Sequence, residues 1–360
     1  MAAAPTFDGN TRNFLERLNI SMHSIPMKRA GRNPFQDVQT SISLARLMRK
    51  TRPDLVLTYT IKPNIWGMLA ARFAKVPNRV AMITGLGYAF GDGDHWRRQV
   101  TRALVQLLYR KALRGVSLVI FQNMDDEMLF RRNALISPSI PSLVVGGSGV
   151  NLQHFPYTPV RPTPPIRFLM ITRLLADKGV REYQKAAALL RREHPGIEFH
   201  LAGPLDPNPT AISAEELEQW ILSGDIIYHG SLQDVRPLLV ECSVFVLPSY
   251  YREGTPRTVL EAMAIGRAIV TTDAPGCKDT VEEGFNGLKV PLRDVEALVA
   301  AMRRLVCCPR LIEEMGRNSR KKAEMDYDVH QINRKIINEI IRGGMSVHSP
   351  QQERGKIDGR

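Results

Sequence analysis

The 360-residue sequence has few of the features that mark secreted, metal-binding or membrane-spanning proteins. It holds only four cysteines, Cys242, Cys277, Cys307 and Cys308, a spacing that suits neither a zinc site nor a disulfide framework. Its eight histidines include no H-x3-H or H-E-x-x-H pattern. No apolar run approaches the roughly 20 residues that cross a bilayer, and the N-terminus lacks the charged-then-apolar pattern of a signal peptide. We therefore expect a protein of a reducing compartment, without a metal site or a membrane span.

Positive charge is present in excess, and it is distributed unevenly along the chain. The formal net charge is +13, and residues 1–150 hold 21 Lys and Arg against 9 Asp and Glu, which places +12 in this part. Residues 151–360 hold 28 against 27 and are close to neutral. This asymmetry indicates a face for an anionic partner, which is a nucleic acid, a phospholipid surface or a diphosphate acceptor. Nucleic acid is the least favoured, because the sequence shows no nucleic-acid module.

One basic segment, residues 95–115, also carries apolar residues at helical spacing. The apolar residues are Val100, Ala103, Leu104, Leu107 and Leu108, and the basic ones are Arg97, Arg98, Arg102, Arg110, Lys111 and Arg114. Such a helix is suited to lie on an anionic membrane surface. The alternative is an ordinary amphipathic helix whose apolar side packs on its own sheet and whose arginines are solvated. The sequence leaves both interpretations open.

β-rich runs alternate with helical segments along both halves of the chain. The runs are residues 54–58, 80–84, 117–122 and 142–145, followed by 167–172, 197–202, 244–247, 268–272 and 287–290. A proline-rich stretch, residues 156–165, separates the two sets and is typical of a stiff linker. This alternation predicts an α/β fold with two Rossmann-like, doubly wound parallel sheets, whose ligands bind at the carboxyl ends of the strands.

The most informative stretch is residues 244–276, which read VFVLPSYYREGTPRTVLEAMAIGRAIVTTDAPG. Its apolar start predicts a strand buried in a parallel sheet. Thr255 is the expected N-cap of a following helix, with Pro256 at its first position and Gly266 at its end. The positive end of such a helix, facing the crevice at the strand ends, is an anion site.

Two glutamates flank the start of this helix. Glu253 lies in the preceding loop, and Glu261 is five positions after Pro256, about 7.5 Å further along a helix axis. Carboxylates accept hydrogen bonds from sugar hydroxyls, so this spacing suits a ligand with a hydroxyl-rich group on each side of a diphosphate. Alternatively, both glutamates are solvated charges without a ligand, as surface charges usually are.

The run EGTPRTVLEAMAIG, residues 253–266, resembles the E-x7-E signature of retaining glycosyltransferases of the family-4 (group 1) type, which implies a GT-B fold. The resemblance covers about residues 25–340 and continues in the runs RFLMITRLLADKGVREY, LAGPLDPNP, TIKP, ITGLGYAF, FQNMDDEMLF and GGSGVNLQHF. Among these enzymes the chain most resembles those that add a hexose or N-acetylhexosamine to a polyprenyl-diphosphate-linked saccharide. Such enzymes assemble capsule, O-antigen or exopolysaccharide in bacteria.

The resemblance implies a domain order and a cellular location. Residues 1–155 are expected to bind the acceptor, residues 156–330 the nucleotide sugar, with UDP as the expected nucleotide, and residues 331–343 to return as a helix to the first domain. Residues 344–360 are expected to be a disordered tail. The expected enzyme is a peripheral protein on the cytoplasmic face of the inner membrane, held to an anionic surface by its basic first domain, without a cofactor, a metal or a nucleic-acid partner.

Two basic residues are expected to take the place of a metal at the leaving diphosphate. Arg173 and Lys178 follow the predicted strand 167–172 in a loop that ends in Gly179, so both cations are placed to reach the phosphates. The only local metal-binding candidate, the pair Asp125 and Asp126, is distant in sequence from the donor signature.

The remaining donor contacts follow from the resemblance. It implies that Glu261 holds the ribose hydroxyls and Glu253 the transferred sugar, and the other expected donor-binding residues are Gly203, Gly254, Thr255 and Pro256. With no second catalytic carboxylate evident, we expect attack by the acceptor hydroxyl on the face that the diphosphate leaves, with retention. A covalent intermediate on Glu253 is the open alternative.

The acceptor side carries weaker signals. Lys62 follows a predicted strand and is a candidate for an acceptor phosphate, and Gly85, Gly87 and Gly147 lie in loops at predicted strand ends. These glycines either allow close backbone approach to a ligand or form tight turns with positive φ.

One departure from the family concerns the N-terminus. Such enzymes begin with an additional strand, turn and helix, about 35 residues by the usual length of a βα unit, and this sequence is expected to start after them. The alternative function is therefore a non-catalytic or impaired nucleotide-sugar-binding subunit of a glycan assembly system. An epimerase acting on the nucleotide sugar alone is a third interpretation.

Overall fold

The fold is given by a computed structural model, which describes residues 1–27, 34–86, 96–160, 163–208 and 210–343. Its strands are β1 Ala2–Ala4, β2 Met22–Ser24, β3 Leu55–Tyr59, β4 Asn78–Ile83, β5 Leu118–Phe121, β6 Ser142–Val144, β7 Ile166–Ile171, β8 Ile197–Ala202, β9 Ile227–Tyr228, β10 Val244–Leu247, β11 Ala268–Thr272 and β12 Gly287–Val290. Its α-helices are α1 Gly9–Arg17, α2 Pro34–Thr51, α3 Met68–Phe73, α4 Trp96–Ala112, α5 Met124–Arg132, α6 Val180–Glu193, α7 Ala214–Leu222, α8 Arg236–Glu241, α9 Arg257–Ile265, α10 Val295–Cys307, α11 Pro309–Asp326 and α12 Val329–Arg342.

These strands form two main sheets, and every described strand pair is parallel. One sheet has the order β3-β4-β5-β6, and the other has the order β12-β11-β10-β7-β8-β9. We call the part of the chain around the four-stranded sheet the first lobe and the part around the six-stranded sheet the second lobe. The strands β1 and β2, joined by α1, pair separately in a two-stranded sheet.

The second sheet is buried on both faces, as its sequence requires. The strands β10 and β11 consist of buried residues throughout, and they belong to one apolar core with the inner sides of α6, α9 and α10. Parallel strands covered by helices on both faces read as continuous apolar runs, which explains why β10 was predictable. The strand order reverses between β7 and β10, so the carboxyl ends of these two strands form the switch point at which doubly wound sheets bind ligands.

The last helix, α12, packs on the first lobe although the helix before it packs on the second. Ile332, Ile336 and Ile340 follow one another at intervals of four and form a cluster with residues of β4, β5 and the end of β6, namely Val80, Met82, Leu118, Ile120 and Val145. The break between α11 and α12 lies at Tyr327 and Asp328, where the Asp328 side chain caps α12 by accepting from the His330 amide at 3.0 Å.

The proline-rich segment is fixed to the second lobe by a buried arginine. The Arg267 guanidinium is 1% exposed and donates to the backbone oxygens of Cys242, at 3.0 Å, and of Thr158. The Thr158 amide donates to the Ile265 oxygen at the end of α9, at 3.0 Å. Burial lowers the pKa of Arg267, but a guanidinium stays charged because its ordinary pKa is so high.

The predicted amphipathic helix of the basic segment is present as α4, and its apolar residues divide between two sides. Tyr109, Ala112 and Leu113 are buried in the first-lobe core, whereas Val100 and Leu104 are 60% and 55% exposed. Of the two interpretations left open, packing of the whole apolar stripe on its own sheet is therefore wrong for the outer side of α4. In the part of the chain that the structure describes, no helix is long and apolar enough to cross a membrane.

Candidate active site

The candidate site lies where the loops after β7 and β10 meet. The first loop ends in a 3₁₀ turn, Ala176–Lys178, followed by Gly179 with φ of 78°. A Cβ at Gly179 would lie 2.1 Å from the Pro248 oxygen at the end of β10. Only glycine can therefore occupy this position, both for its left-handed backbone and for its contact. The close approach brings the end of the first loop against the start of the second.

Lys178 and Glu253 form an ion pair at this contact. The Lys178 ammonium contacts Oε1 of Glu253, and the two side chains are 11% and 12% exposed. The Ser249 hydroxyl also donates to Oε1 of Glu253, at 3.3 Å, and the Tyr251 ring lies 4.8 Å from the ammonium. Because both charges are largely removed from water, losing either one would leave the other uncompensated. The two predicted catalytic residues are thus brought together, 75 positions apart in sequence.

Arg173, the other predicted cation, pairs with a different carboxylate. Its Nη1 lies 2.8 Å from Oδ2 of Asp206 in the loop after β8, and Oδ1 of Asp206 accepts from the Asn208 amide at 2.9 Å. Gly203 allows this loop to approach, because a Cβ there would lie 1.7 Å from the Thr172 oxygen, and its φ is 139°. Glycine is therefore required at position 203 because the backbone there contacts the Thr172 oxygen, next to Arg173.

The helix α9 follows Glu253 with a boundary one residue later than predicted. Its N-cap is Pro256, with φ of −65° and ψ of 115°, and Arg257 is its first helical residue. The prediction of Thr255 as N-cap is wrong, because its hydroxyl donates instead to the Gln122 oxygen of the first lobe, at 2.9 Å. The prediction that Gly266 ends the helix is confirmed by its left-handed φ of 94°.

Glu261 is buried on α9, so the interpretation of this residue as a solvated surface charge is wrong. It is 7% exposed, and its Oε1 lies 2.9 Å from Nε of Arg257, which is exposed. Burial raises the pKa of Glu261, and the Arg257 charge opposes that rise. The first turn of α9 contains no acidic residue, so no carboxylate of this turn neutralises the positive end of the helix dipole.

The predicted acceptor-side glycines lie against the second lobe. Gly85 has φ of 94° and forms an antiparallel bridge with Glu253, and its Cβ would lie 2.5 Å from the Gly254 amide nitrogen. Gly147 has φ of 68°, and its Cβ would lie 2.6 Å from the Thr255 Cβ. Both glycines have the positive φ of the turn interpretation, and their close backbone contact is with the loop between β10 and α9; approach to a ligand stays a prediction.

The other two acceptor-side candidates are Lys62 and Gly87. Lys62 pairs with Asp37 of α2 at 2.8 Å, with a fifth of its side chain exposed. Gly87 lies outside the described residues.

Sequence reasoning missed the first-lobe residues that hold the donor-side loop. The buried Asn123 amide donates to the backbone oxygens of Glu253, at 3.1 Å, and of Gly254, at 3.0 Å. The available signal was local: Asn123 ends the strand run FQN and precedes Asp126 in an N-cap pattern. That pattern predicts the cap but not the partner in the other lobe.

The acidic pair Asp125 and Asp126 belongs to the same contact between the lobes. Oδ1 of Asp125 lies 2.9 Å from the Lys278 ammonium of the second lobe. Asp126 is fully buried, and burial raises its pKa to about 7. Over the described ranges, no group of three or more His, Cys, Asp or Glu side chains is arranged to hold a metal ion.

Comparisons with known proteins agree with the two-part architecture. Residues 8–123 match a family profile described as glycosyl transferase 4-like, and residues 165–307 match one described as glycosyl transferases group 1. The chain is 30% identical over 335 residues to the N,N'-diacetylbacillosaminyl-diphospho-undecaprenol alpha-1,3-N-acetylgalactosaminyltransferase of Campylobacter jejuni, covering 90% of this chain and 86% of that protein. It is 23% identical over 309 residues to the UDP-Gal:alpha-D-GlcNAc-diphosphoundecaprenol alpha-1,3-galactosyltransferase of Escherichia coli, covering 82% and 77%.

Solved structures with the same fold are more distant in sequence. Anabaena HepE, crystallised in complex with UDP and glucose, superimposes with a TM-score of 0.75 at 19% identity, over 94% of this chain and 91% of that one. A sucrose-phosphate synthase from Thermosynechococcus elongatus superimposes with a TM-score of 0.74 at 19% identity, over 90% and 84%. The predicted GT-B fold, with two Rossmann-like sheets, is confirmed.

Proposed function

The chain belongs to the group 1 glycosyltransferases, and on that premise we propose that it moves a hexose or N-acetylhexosamine from a nucleoside diphosphate sugar to a polyprenyl-diphosphate-linked saccharide, with retention. The names of the Campylobacter and Escherichia relatives support an undecaprenyl-diphosphate acceptor for this chain. The name of the second also supports UDP as the nucleotide. The observation that carries the proposal is the largely buried ion pair of Lys178 and Glu253 at the switch point, in the loop that leads into α9.

The reaction needs positive charge where the donor breaks. The bond between the anomeric carbon and the β-phosphate oxygen lengthens, so negative charge accumulates on the departing diphosphate. Lys178, Arg173 and the positive end of α9 are the groups that we assign to this charge, in place of a divalent metal. In the structure each cation is paired with a carboxylate, so we assign to donor binding an exchange of carboxylate for phosphate at Lys178 and the addition of phosphate beside Asp206 at Arg173.

The carboxylates take the sugar hydroxyls. Glu253, released from Lys178 by the diphosphate, accepts from hydroxyls of the transferred sugar, and Glu261 accepts from the ribose hydroxyls. The acceptor hydroxyl attacks the anomeric carbon on the face that the diphosphate leaves, so the new glycosidic bond has the configuration of the old one. The hydroxyl proton passes to the departing phosphate oxygen, which balances the step without a second carboxylate.

The acceptor and the membrane are assigned to the first lobe. This lobe carries the charge excess of the chain, and the outer side of α4 presents Val100, Leu104 and Leu107 to solvent beside Arg110 and Lys111. An apolar strip with basic neighbours is suited to the surface of an anionic bilayer. A peripheral position on the cytoplasmic face would hold the cleft near a lipid-linked acceptor.

A transfer assay with defined substrates tests the proposal. We expect transfer from UDP-N-acetylgalactosamine or UDP-galactose to an undecaprenyl-diphosphate-linked N-acetylhexosamine, undiminished by EDTA. Lys178→Ala and Glu253→Ala should each lower kcat by about 100-fold, because each removes a charge at the reacting centre. Lys185→Ala removes an exposed lysine of α6 and is the matched control, which should keep full activity.

Three results would count against the proposal. Full activity in Glu253→Ala or Lys178→Ala would exclude the assigned chemistry, and loss of activity with EDTA that Mg²⁺ restores would exclude the metal-free mechanism. UDP-sugar binding without turnover on any acceptor would favour a non-catalytic subunit.

A further inference from the structure

The loop that carries Glu253 is held in place largely by the other lobe. Its backbone forms a bridge with Gly85, and the Thr255 hydroxyl donates to the Gln122 oxygen at 2.9 Å. A Cβ at Gly254 would lie 2.0 Å from the Gln122 side-chain oxygen, so the two lobes touch here without space for a side chain. The loop that presents a carboxylate to the donor sugar is thus shaped by the lobe that does not bind the donor.

Asn123 makes the central contact of this arrangement. It is 2% exposed, and its Nδ2 donates to the backbone oxygens of Glu253 and Gly254 and shares its hydrogens with Oδ2 of Asp126 at 3.2 Å. Its Oδ1 accepts from the Asp126 amide at 2.8 Å and caps α5. The side chain is therefore fixed to the first lobe through Asp126, and its amide nitrogen holds two consecutive peptide groups of the second lobe.

The backbone of the same loop is also contacted by a turn of the second lobe. A Cβ at Gly276 would lie 1.8 Å from the Gly254 oxygen and 2.8 Å from the Glu253 oxygen. These are the two oxygens that accept from Asn123, so both contacts act on the same peptide groups. Loss of the Asn123 bonds would leave these oxygens with the contact from the second lobe, and a shift of this backbone would move the Glu253 carboxylate with it.

We propose that Asn123 is a positioning residue that couples the contact between the two lobes to the placement of the Glu253 carboxylate. In this role Asn123 acts through the two peptide oxygens that it holds, not on the donor or the acceptor itself. The proposal rests on the proposed function, since it assigns Asn123 to the sugar-transfer site. The contact between the lobes then shapes the sugar-binding part of the site, whereas the groups assigned to the nucleotide lie on α9 and the β7 loop of the second lobe. A misplacement of about 1 Å at a reacting centre costs roughly 100-fold in rate.

The competing explanation is that Asn123 only caps α5, and two substitutions separate the roles. Asn123→Asp keeps the shape and the capping oxygen but turns an oxygen toward the two peptide oxygens of the loop, and Asn123→Ser keeps a capping hydroxyl and loses the amide donor. Asn318→Asp is the matched control, because the Asn318 amide also donates to a backbone oxygen, that of Phe285 at 2.9 Å, within the second lobe.

Kinetics and calorimetry give the first test. We expect kcat to fall by about 10- to 100-fold in Asn123→Asp and Asn123→Ser, with a dissociation constant for UDP within about threefold of the wild type. The melting temperature of Asn123→Ser should stay within a few degrees, because the cap is retained, and Asn318→Asp should keep kcat. An unchanged kcat in Asn123→Asp, or equal losses in kcat and UDP affinity, would overturn the positioning role.

Hydrogen exchange gives a second test that does not depend on turnover. We expect the amides of residues 252–255 to exchange faster in Asn123→Asp by about tenfold or more, while those of α5 stay protected as in the wild type. Unchanged exchange in 252–255 would overturn the proposal even in an active enzyme. If the wild type transfers no sugar but this segment is released as expected, the proposed function fails and the contact from Asn123 to the loop stands.

Discussion

Asp126 is a carboxyl group buried where the two lobes meet. It is fully removed from solvent, its Oδ2 accepts from the Asn123 amide at 3.2 Å, and within the described residues its Oδ1 has no hydrogen-bond partner. Burial raises its pKa to about 7, the Asn123 bond and the Arg252 charge oppose the rise, and Asp125 and Asp279 add to it. Near neutral pH this carboxyl is therefore divided between its neutral and charged forms.

This shift predicts how stability depends on pH. The native pKa of about 7 lies above the ordinary 3.8, so between these values the folded protein binds more protons than the unfolded chain, and the free energy of unfolding falls as pH rises. Asp126→Asn removes the cost of charging this buried group. The neighbouring Tyr109 does not titrate in the same range, because burial raises its pKa. The gain of the variant over the wild type in urea unfolding should be larger at pH 8 than at pH 5 by on the order of 2 kcal/mol. Asp54→Asn, at an exposed carboxylate, should show no such difference, and an equal gain at both pH values would contradict the assignment.

Single residues also show where sequence reasoning reached its limit. Lys178 and Glu253 were both predicted, because each lies at the end of a buried strand run and strands of a parallel sheet end at one edge. Their pairing, and the separate pairing of Arg173 with Asp206, depend on side-chain directions that no spacing specifies. Asn123 was missed because its cap pattern is complete in the sequence, whereas its second set of partners lies 130 positions away.

At the scale of elements, strands buried on both faces were predictable and most of the shortest strands were not. The strands β7, β8, β10, β11 and β12 coincide with predicted runs to within one residue at each end, because residues buried on both faces leave a continuous apolar signal. The strands β1, β2 and β9 have two or three residues each, which is too short for a period to appear, although β6, with three residues, was found in the run 142–145.

The helix α12 provides an element-scale prediction. Its buried face is three isoleucines against the first-lobe sheet, so truncating one of them opens a cavity between the end of the chain and that lobe. Ile332→Ala, at a residue 1% exposed, should lower the free energy of unfolding by about 2–4 kcal/mol. Ile337→Ala on the exposed side of the same helix is the control and should cost about 0.5 kcal/mol or less. Chemical denaturation of both variants measures the difference, and equal costs would mean that α12 does not depend on this contact.

At the scale of the whole molecule, the site is made of two lobes that meet at several independent points. Lys278 pairs with Asp125, the Thr255 hydroxyl donates to the Gln122 oxygen at 2.9 Å, and Asn123 holds the loop of Glu253. These contacts connect segments that are far apart in sequence, so the two sheets could be predicted separately while their contact could not. The uneven distribution of charge, by contrast, could be predicted from composition alone, because counting the charged residues of each half of the sequence needs no geometry.

The charge and the outer side of α4 together predict attachment to an anionic bilayer. The exposed Leu104 and Leu107 provide buried area on contact with lipid, and the basic residues of the first lobe provide attraction that salt weakens. Leu104→Ser combined with Leu107→Ser should reduce co-sedimentation with phosphatidylglycerol vesicles by about tenfold, since each buried methylene is worth about 0.8 kcal/mol. Leu222→Ser, at a leucine 79% exposed on the second lobe, should leave binding unchanged.

Binding of the wild type should fall between 50 mM and 500 mM salt, roughly as the screening length shortens, and should be weak on phosphatidylcholine. Equal binding to both lipids, or equal losses in the α4 and Leu222 variants, would show that neither the charge nor this helix directs the protein to the membrane.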